Sequence, residues 1–174
     1  MTTLILSVVG SDRPGLTRAL AAAVLAAGGN WLESRLSRLG GLYVGSVLVE
    51  IEAGRIEDLR AAVREVDAEG LEVRIAPAVA GEEGPGERVR LSLVGQDRPG
   101  IVHQVTGVLS RLEANIEAFH TGISMEPHSG GQLFHMDARL RLPPKLSAAD
   151  VQAALEEISA EIMVDIALTP AEPD

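Results

Sequence analysis

One short motif occurs twice in this chain, as Gly10-Ser11-Asp12-Arg13-Pro14-Gly15 and as Gly95-Gln96-Asp97-Arg98-Pro99-Gly100. Each copy follows an alternating apolar run (Leu4, Leu6, Val8; Val89, Leu91, Leu93) and precedes a helical pattern. Each is therefore a strand-to-helix turn. Asn30 and Asn115 stand at the same offset as the turns. A polar set repeated at one offset marks an internal repeat, and it constrains the chain to two copies of one domain. The expected boundaries are 1–79 for the first domain, 80–86 for a polar linker, 87–170 for the second domain and 171–174 for a flexible tail.

Within the first copy, Thr3–Val9 alternates as a strand and Pro14 lets the helix begin no earlier than itself. Leu16, Leu20, Val24 and Ala27 then form one apolar helical stripe, and Gly28-Gly29 ends it. Trp31–Leu39 and Leu42–Ile51 read as strands joined by the Gly40-Gly41 hairpin signal. Gly54 opens a second helix carrying Ile56, Leu59, Val63 and Val66, and Leu71–Ala76 is the fourth strand. The second copy repeats the order: strand Arg88–Gly95, a helix with Ile101, Val105, Val108, Leu109 and Leu112, and the hairpin Asn115–Met125 with Gln132–Leu142. Ser147 and Asp150 then suggest a capping box before Val151, Leu155 and Ile158, and Met163–Leu168 is the last strand. Twice βαββαβ is an α+β fold of two tandem ferredoxin-like domains, antiparallel sheets with their helices on one face. The Met125–Ser129 stretch has no counterpart in the first hairpin and predicts a longer loop there. The helix-free faces carry Ile5, Ser7 and Val9 in one copy and Arg90, Ser92 and Val94 in the other. Such half-apolar faces predict covering by another sheet, as in a homo-oligomer.

Composition removes several functions. The formal net charge of −10 and only four aromatic residues disfavour nucleic acid, which needs a basic face or a stacking platform. There is no cysteine for disulfides, thiolate metal sites or thiol nucleophiles. No apolar run reaches the roughly 18 residues of a membrane span, and the N-terminal Met-Thr-Thr-Leu-Ile-Leu reads as a strand, not a signal peptide, so a cytoplasmic protein is expected. His103, His120, His128 and His135 lack the helical spacing of a metal motif. Neither a nucleophile elbow nor a phosphate-binding glycine loop is present, so no catalytic residue, metal or cofactor is expected.

The repeated turn itself allows two readings. Pro followed by Gly at a helix start exposes backbone N–H groups at the positive end of the helix dipole, where a small carboxylate can sit. Asp12 and Asp97 can instead accept from those N–H groups as ordinary turn residues. Asn30 and Asn115 begin the next strand, at the opposite end of the helix, so each is better placed to meet the turn of a neighbouring domain than its own.

The βαββαβ order, with Gly-x-Asp-Arg-Pro-Gly at the first turn and Gly-x-Asn after the first helix, resembles the ACT domain, a small regulatory module that often binds amino acids; in the second copy the asparagine is preceded by Ala114 and the glycine of that signature is missing. The stretch Gly28-Gly29-Asn30-Trp31-Leu32-Glu33-Ser34-Arg35-Leu36-Ser37-Arg38-Leu39-Gly40-Gly41 looks more specifically like the glycine cleavage system transcriptional repressor family, which has two tandem ACT domains. The resemblance implies a non-enzymatic regulator that senses glycine or a similar amino acid and contacts a transcriptional activator rather than DNA. By the same analogy, ligand sites lie between domains, lined by Asp12, Arg13, Pro14, Gly15 and Leu16 or by Asp97, Arg98, Pro99, Gly100 and Ile101, with Asn30 or Asn115. Two other readings stay open: an interaction or allosteric module without ligand that regulates a metabolic enzyme, and a small hydrolase of the acylphosphatase kind. ACT domains also accompany formyltetrahydrofolate deformylase, for whose hydrolase portion this chain has no room.

Overall fold

In the computed structural model the described residues are 1–68, 70–79, 84–125 and 130–171, with nothing stated for the side chains of residues 160 and 161. The chain divides into two compact units, Met1–Glu82 and Glu83–Asp174. Most of the expected linker, the tail beyond Ala171 and most of the long hairpin loop lie outside the described residues.

The first unit runs β1 (Thr2–Ser11), α1 (Leu16–Ala26), β2 (Asn30–Leu39), β3 (Leu42–Ile51), a 3-10 turn (Ala53–Arg55), α2 (Ile56–Ala68) and β4 (Leu71–Pro77). The second runs β5 (Arg88–Gln96), α3 (Ile101–Arg111), β6 (Asn115–Met125), β7 (Gln132–Arg141), α4 (Ala148–Ile162) and β8 (Val164–Pro170). The strand orders are β2-β3-β1-β4 and β6-β7-β5-β8, with every pairing antiparallel. This is the ferredoxin-like arrangement twice over, and the helix of each unit that follows the motif starts two residues beyond its proline.

Alternation decides which face of each sheet is covered. Leu4, Leu6 and Val8 of β1, with Val47, Val49 and Ile51 of β3, are buried against Leu16, Leu20 and Val24 of α1 and Leu59, Val63 and Val66 of α2. In the second unit Val89, Leu91 and Leu93 pack with Ala138 and Leu140 against Ile101, Val105, Val108 and Leu109 of α3 and Val151 and Leu155 of α4. Each full burial of an aliphatic side chain contributes about 1.5–3 kcal/mol. Among the described residues no polar side chain is fully buried, so these cores rest on apolar packing alone.

Local chemistry sets the element ends. Gly40 and Gly41 both take positive φ (60° and 86°), as a two-residue type I′ hairpin requires. The Gly28 N–H donates to Leu25 O and the Gly29 N–H to Val24 O, both 2.9 Å, which is a Schellman ending of α1. α4 opens with the expected capping box. Asp150 N–H donates to the Ser147 hydroxyl (3.2 Å), and Ser147 N–H donates to the Asp150 carboxylate (2.9 Å). The Ser147 hydroxyl and backbone donors hold the Asp150 carboxyl below the ordinary aspartate value. Two features were not visible in the sequence: β-bulges at Trp31/Glu33 and at Ile116/Ala118. The second inserts Glu117 and aims its carboxylate at the arginines of β5 and β7.

Candidate ligand-binding turns

The two motif turns share a backbone. Gly15 lies at φ 98°, ψ −13° and Gly100 at φ 99°, ψ −10°, left-handed in both cases. A Cβ on either would meet nothing within 4 Å, so glycine is required for its dihedrals and not for space. The opening glycines serve a different purpose. A Cβ on Gly10 would overlap Gly70 O, and one on Gly95 would lie 2.5 Å from Met163 O, so both permit the last strand to approach.

The earliest helical bonds run from Ala19 N–H to Gly15 O and from Gln104 N–H to Gly100 O, each 2.9 Å. Neither helix has a side-chain cap, so the amides of residues 16–18 and 101–103 have no helical acceptor and carry the positive end of the dipole. Asp12 does not cap them; its carboxylate pairs with Arg38 Nε at 3.1 Å, and the pair is largely exposed. At the second turn the Asp97 N–H donates to Gln132 O (2.9 Å).

Arg13, Pro14, Gly15 and Leu16, with Ala68, line a cleft of about 340 Å³. The Arg13 guanidinium lies over Gly70, its Nη2 only 2.8 Å from where a Cβ would stand. Leu16 and Ile101 are 5% and 2% exposed, so their side chains belong to the cores and only their backbones face the turns. The asparagines are elsewhere. Asn30 is level with Glu50 and Thr3, whereas Asp12 follows Ser11 at the far end of β1, so about nine extended residues, roughly 30 Å, separate them. Asn115 is level with Arg141 and Arg88, equally far from Asp97. No unit brings its own turn and its own asparagine together.

The first turn has neighbours that sequence reading missed. The Thr17 hydroxyl and the Tyr43 phenol are hydrogen-bonded at 2.9 Å beside the uncapped amides, and Arg38 faces Asp12. Cross-strand register reveals their counterparts: Gly10 pairs with Tyr43 and Gly95 with Phe134, while Arg38 pairs with Tyr43 and Ile123 with Phe134. Val102 takes the place of Thr17 one residue into the helix. The second turn thus keeps the backbone and replaces the polar frame with Val102, Phe134 and Ile123.

Residues 2–76 match the family model for the ACT domain, and the second unit repeats the same element and strand order. The first unit is an ACT domain, and the chain carries two tandem ACT-like domains. Over its whole length the tandem ACT chain is similar to an unknown protein from Galdieria sulphuraria, at 30% identity and a TM-score of 0.86, covering 98% of this chain and 99% of that one. It also shares its fold with a "putative glycine cleavage system transcriptional repressor", at 17% identity and a TM-score of 0.71, covering 99% and 98% of the two chains. No curated protein matches it. Among the described residues of the ACT units, no group of three or more His, Asp or Glu side chains is placed to hold a metal ion, and no helix is long and apolar enough to cross a membrane.

Proposed function

We propose that this tandem ACT protein is a cytoplasmic, non-enzymatic regulator of the glycine cleavage repressor kind. It binds a small amino acid such as glycine and acts by contacting a transcription factor, not DNA. The observation that carries this reading is the duplicated turn with its left-handed glycine and uncapped helix amides. A carboxylate accepts from such amides, and the dipole favours its charge. The ligand sites comprise Asp12–Leu16 and Asp97–Ile101. Each is completed by an asparagine other than its own unit's, since Asn30 and Asn115 lie at the wrong ends of their sheets. The linker is residues 80–86 between domains 1–79 and 87–170, and the protein works as a homo-oligomer. Glycine has few heavy atoms, and a ceiling of about 1.5 kcal/mol per atom limits its affinity to micromolar or weaker.

Calorimetry against the proteinogenic amino acids tests the sensor. Binding of one or a few small ones at micromolar or weaker Kd is expected, and silence from all would leave a ligand-free interaction module acting on a metabolic enzyme. Capture of a transcription factor from native lysate only with, or only without, that amino acid tests the partner.

A further inference from the structure

We propose that the two turns have diverged into sites for different side chains. The first takes an amino acid whose side chain forms hydrogen bonds, such as serine, and the second takes one whose side chain is aliphatic, such as valine. This assignment rests on the turns being carboxylate sites, as proposed above, and names the side chains that choose the ligand.

The backbones do not discriminate. Gly15 and Gly100 share one conformation (φ 98° and 99°, ψ −13° and −10°), and both helices open with amides that no side chain caps. Both turns therefore offer a ligand carboxylate the same donors, and selection falls to the side chains around them.

Thr17 and Val102 are each the second residue of their helix and carry the middle one of the three uncapped amides. The Thr17 hydroxyl bonds the Tyr43 phenol at 2.9 Å, so two hydroxyls meet beside the amides of the first turn. Their mutual bond uses one of two hydroxyl protons, which leaves the second, and oxygen lone pairs, for a ligand. In the second turn Phe134 pairs with Gly95 as Tyr43 pairs with Gly10. Valine is close to threonine in shape, and phenylalanine to tyrosine, so the frame keeps its form and loses both hydroxyls together. A third exchange runs the same way, since Ile123 pairs with Phe134 where Arg38 pairs with Tyr43. Val102 and Ile123 are 39% and 52% exposed, so both present hydrocarbon to an incoming ligand. The hydroxyl pair is not needed to build the turn, because the second copy takes the same backbone without it.

A serine hydroxyl can exchange hydrogen bonds with Thr17 and Tyr43. Beside Val102 and Ile123 it would give up water and gain no partner. A valine side chain gains there about fourfold in affinity for each methylene it buries. At the first turn it would instead screen the hydroxyls from water without bonding them.

Amide NMR of the full chain, titrated with glycine, serine and valine as separate probes, reads the turns individually at residues 16–18 and 101–103. Glycine has no side chain and should move both sets with similar midpoints. Serine should show a midpoint about tenfold below that of valine at 16–18, and about tenfold above it at 101–103. A chain carrying both Thr17→Val and Tyr43→Phe has the second turn's pair in the first. It should lose the serine preference at 16–18 while 101–103 respond as before. Shifts with glycine alone, the same order of serine and valine at both turns, or an unaltered order in the double variant would overturn the divergence and leave the carboxylate sites standing. Amides that none of the three probes moves at either turn would overturn both.

Discussion

Glu113 occupies in the second unit the place that Gly28 holds in the first. The Glu113 N–H donates to Ser110 O (3.1 Å) and the Ala114 N–H to Leu109 O (3.0 Å), the same Schellman pattern, yet Glu113 sits at φ 57°. A left-handed non-glycine residue costs about 1–2 kcal/mol, of which a more flexible unfolded chain takes back about 0.4–1 kcal/mol on substitution. Glu113→Gly should therefore raise unfolding stability by roughly 0.5–1 kcal/mol in urea titrations. Gly28→Ala should lower it by at least about 1 kcal/mol, because its Cβ would also stand 2.8 Å from Arg55 Nη1. Opposite signs at equivalent positions are the expected outcome. Asp150 supplies a pH prediction. Its folded pKa is depressed, so its stabilising contribution is present above the unfolded aspartate value and disappears as pH falls through the folded one. Carboxyl NMR titration should place Asp150 below 3.8, and Ser147→Ala should move it back up.

At the level of elements, two glycines inside regular elements, Gly10 in β1 and Gly107 in α3, behave oppositely in space. Gly10→Ala forces a methyl onto the β4 backbone and should destabilise by about 1–3 kcal/mol or more, as overpacking does. Gly107→Ala lies inside α3 with open space at its Cβ and should stabilise by about 0.5–1 kcal/mol. Thermal or urea unfolding separates the two. The elements themselves were legible because their signals are local: the Leu16, Leu20, Val24 stripe, the Gly40-Gly41 hairpin and the Ser147/Asp150 cap each lie within a few residues. The Thr17–Tyr43 bond and the Glu117–arginine cluster were not, since register and a bulge bring together residues that are distant in the chain. The alternation of Arg88 and Arg90 with Val89 and Leu91, and of Arg139 and Arg141 with Leu140, was a signal for the second. It marks basic residues on one open face, but only the β5–β7 register makes them neighbours.

For the whole molecule, duplication was the most legible property, and divergence between the copies the least. The turns keep their backbone while the first frames it with Thr17, Tyr43 and Arg38, and the second with Val102, Phe134 and Ile123. The open faces diverge likewise, Ile5 and Leu48 against Arg90 and Arg139. The acidic chain should leave duplex DNA unretarded even at low salt, where phosphate contacts are strongest. The proposal that the turns are carboxylate sites meets its most direct test in amide NMR of the intact protein titrated with glycine. Saturable shifts of the amides of residues 16–18 or 101–103, with a micromolar or weaker midpoint, are predicted. Unmoved amides at both turns under glycine and every other small amino acid would contradict it.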